Sequence, residues 1–243
     1  MSKHFNITVI GTGNVASHLC VALAGTTDEL YNISSRTLED LPLDSDLYII
    51  AVNDDAIPQV AAQMPKVKGV VAHTAGSVDM RVLSPYFDRI GVLYPLQTFT
   101  KGADIDYSEI PVFIEGSDND SAALLSDVAS LFSRHIYPAD SERRRLLHIA
   151  SVFACNYVNG LWCIADALLQ QGDLSIDVLM PLIKTTAAKI TRMSPTQAQT
   201  GPASRGDTGV MLNHLLMLQD TPFQEIYRNL GNYILSQSGR DPI

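Results

Sequence analysis

Positive charge is scarce in this sequence. It holds 17 Lys and Arg residues against 26 Asp and Glu residues, which gives a formal net charge of -9 at pH 7. An acidic surface repels a phosphate backbone, so we expect no nucleic-acid partner. Any phosphate-bearing ligand must be held by a local site.

A long apolar run is also missing near the start of the chain. The segment MSKHFNITVIG offers only about five apolar residues before Gly11. A membrane span or a signal-peptide core needs far more. We therefore expect a cytoplasmic protein that has no membrane partner.

Cysteine is rare. Cys20, Cys155 and Cys163 are odd in number and show neither metal-ligand spacing nor a CxxC pair, which predicts three reduced thiols in the core. Asp54 and Asp55 could suggest a metal, but adjacent carboxylates before a helix are more often N-caps. We assign no metal site.

The chain has two different textures. Up to residue 140, short apolar runs alternate with helical or loop segments, which predicts an α/β domain with a doubly wound parallel sheet. From residue 141 onward, apolar residues recur every three to four positions, which predicts an all-helical domain. We place the boundary at Asp140, a candidate helix cap. The predicted strands are FNITVIG, LYNISS, DLYIIAV, GVVAHTA, RIGVLYP, IPVFIEG and HIYPA.

The stretch VIGTGNVASHL joins the first predicted strand to the first predicted helix. Gly11 would make the tight turn and Gly13 would let the backbone approach a pyrophosphate at the helix start. Ala16 stands where the motif has its third glycine. The alternative is a plain strand-to-helix turn; a P-loop is excluded because no GK[ST] follows. The predicted dinucleotide-binding residues here are Gly11, Thr12, Gly13, Asn14 and Val15.

The end of the second predicted strand decides between NAD and NADP. Ser34, Ser35 and Arg36 stand where NAD-binding proteins carry a carboxylate, and two hydroxyls with a guanidinium suit a 2'-phosphate. We therefore predict NADP, with Val52 and Asn53 flanking the cofactor after DLYIIAV. The alternative is an exposed Arg36 in an ordinary loop, with acidic residues nearby at positions 39 and 40.

One helical segment collects groups that could transfer protons. Ser151 lies three residues after His148, Cys155 lies four residues after Ser151, and Asn156 lies eight residues after His148. His148 and Asn156 should therefore share a face, two turns apart. His148 could donate a proton while the Asn156 amide orients a carbonyl or hydroxyl. A hydrogen-bonded packing histidine is the alternative.

The segment GPASRGD, residues 201–207, lies in the only long irregular piece of the second half, residues 194–207. Arg205 could pair with a substrate carboxylate. The alternative is a local ion pair between Arg205 and Asp207, with Asp207 capping a helix that begins near Thr208.

Taken together, these motifs resemble the 6-phosphogluconate dehydrogenase-like superfamily, which includes β-hydroxyacid dehydrogenases, ketopantoate reductase and pyrroline-5-carboxylate reductase. HTAGS (73–77), YPLQTF (94–99), HIASVFACNYVNGL and GPASRGD are similar to a narrower group of Rossmann-like proteins with a C-terminal domain of unknown function, described as candidate NADP oxidoreductases. The resemblance implies a nicotinamide cofactor, a cleft between domains and a homodimer formed through the helical domain.

The resemblance also has consequences for single residues. It implies that His73 and Ser77 lie near the nicotinamide, although a structural role for His73 within its loop is an alternative. β-Hydroxyacid dehydrogenases carry a Lys one turn before their Asn, but this chain has Val152 and Phe153 at that distance from Asn156. That activity is therefore not expected.

These observations predict an NADP-dependent oxidoreductase that transfers a hydride between NADPH and a small polar or carboxylate-bearing substrate, by reduction of a carbonyl or an imine. A dinucleotide sensor without catalytic activity is the alternative, because no strong acid-base constellation stands out.

Overall fold

The computed structural model describes residues 4–243, and the chain divides into two compact units. The first unit ends at Asn156, and the second is Tyr157–Ile243. The first contains the whole β-sheet, and the second is helical.

Within the described residues, seven strands form one sheet in the order β2-β1-β3-β4-β5-β6-β7. Each predicted apolar run overlaps one of these strands, so the predicted α/β architecture is confirmed. The strands are β1 (Asn6–Ile10), β2 (Glu29–Ile33), β3 (Leu47–Ile50), β4 (Val70–His73), β5 (Ile90–Pro95), β6 (Pro111–Gly116) and β7 (His135–Pro138).

A parallel sheet was expected, but one pair of neighbouring strands is antiparallel. Strands β1 to β5 are parallel to one another, but β6 runs antiparallel to β5, and β7 is parallel to β6. The β5–β6 connection contains a single 3-10 turn, Tyr107–Glu109, and no crossover helix. A connection that does not cross the sheet returns the chain in the opposite direction.

Helices cover both faces of the sheet because its side chains alternate between two apolar clusters. On β3, Leu47 and Ile49 belong to one cluster, while Tyr48 and Ile50 belong to the other. The first cluster packs against α1 (Asn14–Leu23) and α3 (Asn119–Ser130), and the second packs against α2 (Ile57–Gln63).

Helix α4 (Ser141–Ser151) begins at the predicted cap, where the Asp140 carboxylate accepts a hydrogen bond of 2.8 Å from the Arg143 N–H. The two compact units nevertheless divide 16 residues later than the predicted boundary at residue 140. The reason is that Arg144 is fully buried in the first unit and fastens α4 to it. A π-helical turn, Val152–Asn156, follows α4.

The second unit contains only helices. The segment at residues 194–207, predicted to be irregular, holds two short helices, and Ser194 starts the first of them with a capping box that includes Gln197. The helices are α5 (Tyr157–Gln170), α6 (Met180–Lys189), α7 (Pro195–Ala198), α8 (Pro202–Arg205), α9 (Thr208–Met217) and α10 (Phe223–Gln237).

The cysteines are free thiols, but the prediction that all three lie in the core is wrong. Cys20 is half-buried, whereas Cys155 and Cys163 are exposed in the single chain. Both exposed thiols lie on the apolar helical segment from α4 through α5, whose faces the single chain leaves largely uncovered.

One helical stretch of the described chain, Ser141–Gln170, is long enough and apolar enough to cross a membrane by length and composition alone. Apolar helices that pack inside proteins or between subunits meet the same two criteria. Its buried Arg144, which is ion-paired, belongs to the first unit.

Candidate active site

A groove of about 960 Å³ runs along the carboxyl ends of the first three strands. Ligands of open α/β sheets bind at this edge. Nine residues predicted from the sequence to bind the cofactor line the groove together: Thr12, Gly13, Asn14, Val15, Ser34, Ser35, Arg36, Val52 and Asn53.

Gly11 forms the turn behind this groove. Its φ is +134°, and a Cβ there would come within 2.2 Å of the Ala51 carbonyl oxygen. The Gly11 N–H donates to the Ile33 carbonyl at 2.8 Å, and the Asn32 amide donates to the Gly11 carbonyl at 2.8 Å. Only glycine fits this crossing point between neighbouring strands.

Gly13 lies at the N-terminus of α1 and has open space around it. A Cβ built there meets no atom within 4 Å, so a ligand can approach the backbone closely. The first turn of α1 carries no acidic residue that would oppose an anion. The observed cradle therefore fits a dinucleotide pyrophosphate.

The turn after β2 fits a second phosphate. The Ser34 hydroxyl accepts a hydrogen bond of 3.3 Å from the Arg36 N–H, and both serines line the groove beside the exposed Arg36 side chain. Within residues 4–243, the Arg36 guanidinium makes no ion pair, and neither Glu39 nor Asp40 reaches it. Its charge is therefore available to a ligand.

A second cavity, of about 450 Å³, adjoins the groove, and Val15 and Val52 line both. Its lining residues all belong to the first unit, and the loop after β5 supplies part of its wall. The predicted catalytic residues His148 and Asn156 line this cavity, together with Ser151 and Cys155.

The π-helical turn explains how these four residues reach one cavity. In a regular α-helix, residues eight positions apart lie about 80° from each other around the axis. Val152–Asn156 closes i to i+5 hydrogen bonds instead, which underwinds the helix and turns Cys155 and Asn156 toward the face of His148. The sequence pattern carried no signal for this turn.

Tyr94 is a functional candidate that the sequence interpretation missed. Its hydroxyl lies 3.4 Å from His148 Nδ1, a long hydrogen bond, and its side chain lines the cavity. Burial raises the pKa of Tyr94, and a hydrogen bond with Ser151 partly opposes this rise. Tyr94 belongs to the motif YPLQTF, but from the sequence a tyrosine in a buried strand is interpreted as a core residue.

Gly76 gives His148 and Tyr94 their room. A Cβ at this position would lie 2.8 Å from His148 Nδ1 and 2.8 Å from Cζ of Tyr94. Both side chains therefore pack directly on the backbone after β4, which explains the glycine in HTAGS.

Asn14 and His18 attach the loop after β5 to α1. The Asn14 amide donates to the Phe99 carbonyl at 3.0 Å, and His18 Nε2 lies 2.8 Å from the Thr100 carbonyl oxygen. The same loop supplies Leu96 and Gln97 to the cavity wall. The side chain of Asn14 thus holds the site together as well as lining the groove.

His73 was predicted to bind the cofactor, but it does not line the groove. It is fully buried, lines neither the groove nor the cavity, and its Nδ1 accepts a hydrogen bond of 3.2 Å from the Ala75 N–H. The structural alternative, a bond within its own loop, is what the structure shows. Its Nε2 has no hydrogen-bond partner among the described residues.

Asp54 and Asp55 begin a 3-10 turn, Asp54–Ala56, but neither caps it, contrary to expectation. The Asp54 carboxylate instead accepts a hydrogen bond from the Ser77 hydroxyl and lines the cavity. Tertiary contact with the loop after β4 therefore outweighs the local capping preference.

Arg205 belongs to the second unit, where it forms the local ion pair that was the alternative to a substrate clamp. Its Nη2 lies 2.7 Å from Oδ2 of Asp207, and its side chain is 63% exposed. Helix α9 begins at Thr208, but the Asp207 side chain makes no capping hydrogen bond. The guanidinium charge is satisfied beside its own loop.

The fold and the groove define a dinucleotide-binding protein of the Rossmann class with a helical second unit. Residues 110–234 match the family described as a domain of unknown function, DUF2520, and the chain belongs to this family. A candidate NADP oxidoreductase from Bacteroides fragilis is 36% identical, with a TM-score of 0.87 over 96% of this chain and 98% of that chain.

More distant structures share the fold. An imine reductase from Streptomyces aurantiacus is 13% identical, with a TM-score of 0.72 over 98% of this chain and 96% of its own. A reductive aminase from Aspergillus terreus, in complex with NADPH and ethyl levulinate, is 14% identical, with a TM-score of 0.62 over 98% and 89%. The structural neighbours are thus oxidoreductases of the NADP type. No curated protein matches the sequence.

The buried His73 should make the stability of the protein depend on pH. Burial lowers the pKa of His73 from 6.5 to about 4, and the nearby charge of Arg144 adds to this effect. The unfolded chain then takes up a proton below pH 6.5, whereas the folded chain does so only near pH 4. The contribution of neutral His73 to the free energy of unfolding is therefore fully present above pH 6.5. It falls by roughly 3 kcal/mol as the pH drops to 4.

Urea unfolding at a series of pH values measures this loss. In His73→Gln, the free energy of unfolding should vary less between pH 6.5 and 4 than in the wild type. His135→Gln, a change at a more exposed histidine on β7, is the control and should keep the wild-type slope. Identical slopes for all three proteins would contradict the assignment.

Proposed function

We propose that the protein is an NADPH-dependent oxidoreductase that reduces a carbonyl or imine group of a small polar substrate. The observation that carries this proposal is the shared wall of the two spaces. Val15 and Val52 join a groove suited to a dinucleotide with a cavity that contains proton-bearing side chains. Such a pair of sites is what hydride transfer to a small molecule requires.

The groove residues would hold the cofactor along its length. The backbone of Thr12, Gly13 and Asn14 would meet the pyrophosphate, and Ser34 to Arg36 would hold the 2'-phosphate by charge-assisted hydrogen bonds. Val52 and Asn53 would flank the dinucleotide near the cavity. Bound NADPH would supply the hydride.

The cavity residues would supply the proton. Because burial raises the pKa of Tyr94, its hydroxyl stays protonated at neutral pH and can donate to His148 Nδ1. His148 then carries its own proton on Nε2. Either group can protonate a substrate oxygen or nitrogen, while the Asn156 amide orients the substrate.

The phosphate site predicts a preference for NADPH over NADH. Calorimetric titration should show much tighter binding of NADPH, and Arg36→Ala should remove about 1 to 3 kcal/mol of that preference, because a charge-assisted hydrogen bond is lost. Arg89→Ala is the matched control. It removes the same charge just before β5, at the amino ends of the strands, whereas the groove lies at their carboxyl ends. If neither nucleotide binds, the oxidoreductase proposal fails.

The proton-bearing pair predicts a loss of turnover without a loss of cofactor. With a carbonyl or imine substrate found by screening NADPH oxidation, Tyr94→Phe and His148→Gln should lower kcat by about 10²-fold or more, as removal of a general acid does. The Kd for NADPH should not change, and Tyr137→Phe should behave as wild type. NADPH binding without oxidation by any screened substrate would favour the dinucleotide sensor instead.

We also propose that two copies of the chain pair through the second unit. Its helices expose large apolar side chains, which in water favour a covering partner. Their small core, built around Ala203, Met211 and Leu235, leaves these faces open. Exposed residues include Leu161, Trp162, Leu168, Ile226, Leu230 and Tyr233.

Size-exclusion chromatography with light scattering tests this pairing. At micromolar concentration, the protein should elute with twice the mass of the chain. Trp162→Glu should shift the protein toward the monomer. Val21→Glu changes an exposed apolar residue on α1, in the first unit, and should leave the mass unchanged. A wild-type protein that is only monomeric would contradict the proposal.

A further inference from the structure

The charge of the cavity beside the groove bears on which substrates it can accept. Apart from one carboxylate, its polar wall is made of hydroxyls, side-chain amides, the Cys155 thiol and the His148 imidazole, and no Lys or Arg of residues 4–243 lines it. Asp54 is the one carboxylate in this wall among the described residues. A substrate that enters therefore meets a negative charge and no fixed positive charge.

Asp54 is held in place by the fold. It follows β3, and the Ser77 hydroxyl donates to its Oδ2 atom from the loop after β4. Its Oδ1 atom accepts no hydrogen bond from any residue in the described range 4–243. One oxygen thus fixes the carboxylate, while the other is available to a ligand in the cavity.

Arg144 is the one buried Lys or Arg side chain among the described residues, and it is not available to a substrate. Arg144 is fully buried and pairs with Glu115, and its remaining N–H groups donate to backbone carbonyls of the loop after β4 and to Ser141. It does not line the cavity. An anionic substrate would therefore face Asp54 without a compensating charge. Asp54 is exposed, so solvent weakens this repulsion but does not remove it at contact distance.

We propose that this cavity selects substrates that carry or gain a positive charge on nitrogen, and that Asp54 is the residue that selects them. The substrate class is an imine with its product amine, rather than a carboxylate-bearing molecule. This inference rests on the proposed function and narrows it, because a neutral carbonyl compound gains nothing from a nearby carboxylate.

The chemistry balances with the groups already described. A proton from His148 or Tyr94 passes to the imine nitrogen, and the resulting cation is stabilised by Asp54. Bound NADPH would supply a hydride to the carbon, and the electron pair of the C=N bond would then move to nitrogen and give a neutral amine. Solvent returns the proton to the donor.

Three small rings of similar size probe the charge preference without turnover. They are piperidine, a cation at pH 7, the neutral tetrahydropyran, and the anion cyclohexanecarboxylate. Binding to the full chain is measured by ligand-observed NMR, with and without NADPH. Piperidine should bind about tenfold or more tightly than tetrahydropyran, and cyclohexanecarboxylate should bind the weakest of the three.

Asp54→Asn should abolish this order, since it removes the charge but keeps the shape and an acceptor for Ser77. Asp55→Asn is the matched control: it removes the same charge from the next residue, which does not line the cavity, and the order should persist. Both variants should keep the wild-type circular dichroism spectrum and Kd for NADPH.

Two results overturn the inference: equal or reversed affinities for the three rings in the wild type, or an Asp54→Asn variant that keeps the preference. If the variant that keeps the ring preference also loses affinity for NADPH, Asp54 is assigned to the cofactor instead. If the wild type fails to bind NADPH, the proposed function fails, but titration of the protein alone still measures the charge preference of the cavity.

Discussion

The buried ion pair between Arg144 and Glu115 is the interaction on which the arrangement of the site depends. Arg144 is fully buried, and besides Glu115 on β6 it binds the carbonyls of Ala75 and Val78 after β4. A buried guanidinium is tolerated only when its N–H groups are satisfied, so these partners hold α4 in one position. His148, one turn further along α4, is thereby set against Gly76 and Tyr94.

The same constraint links the two functional spaces. The loop after β4 receives Arg144 from one side; from the other it supplies Gly76 to the cavity wall, and its Ser77 hydroxyl donates to Asp54. Ser77 in turn holds Asp54 after β3, next to the groove residue Asn53. Buried packing, hydrogen bonds and one ion pair therefore connect the cofactor groove to the proton-bearing groups through contiguous contacts within a single unit.

Much of the fold was predictable because it follows from local patterns. Apolar β-branched runs identified all seven strands, and the turn around Gly11 needs a glycine for reasons visible in the motif. It could be predicted that nine residues would line one groove, because parallel strands bring their carboxyl ends to one edge. The antiparallel β6 was missed, since strand direction depends on the path of a connection and not on strand composition.

The sequence alone determined the positions of the strands, the change to a helical second unit, the glycine turn and nine residues of the groove, because each depends on neighbours along the chain. Tertiary structure alone decided the rest. It buried His73, drew Asp54 to Ser77, left two cysteines exposed and placed Tyr94 beside His148. These outcomes depend on contacts between segments far apart in sequence, and on a π turn whose energy is settled by packing and not by residue type.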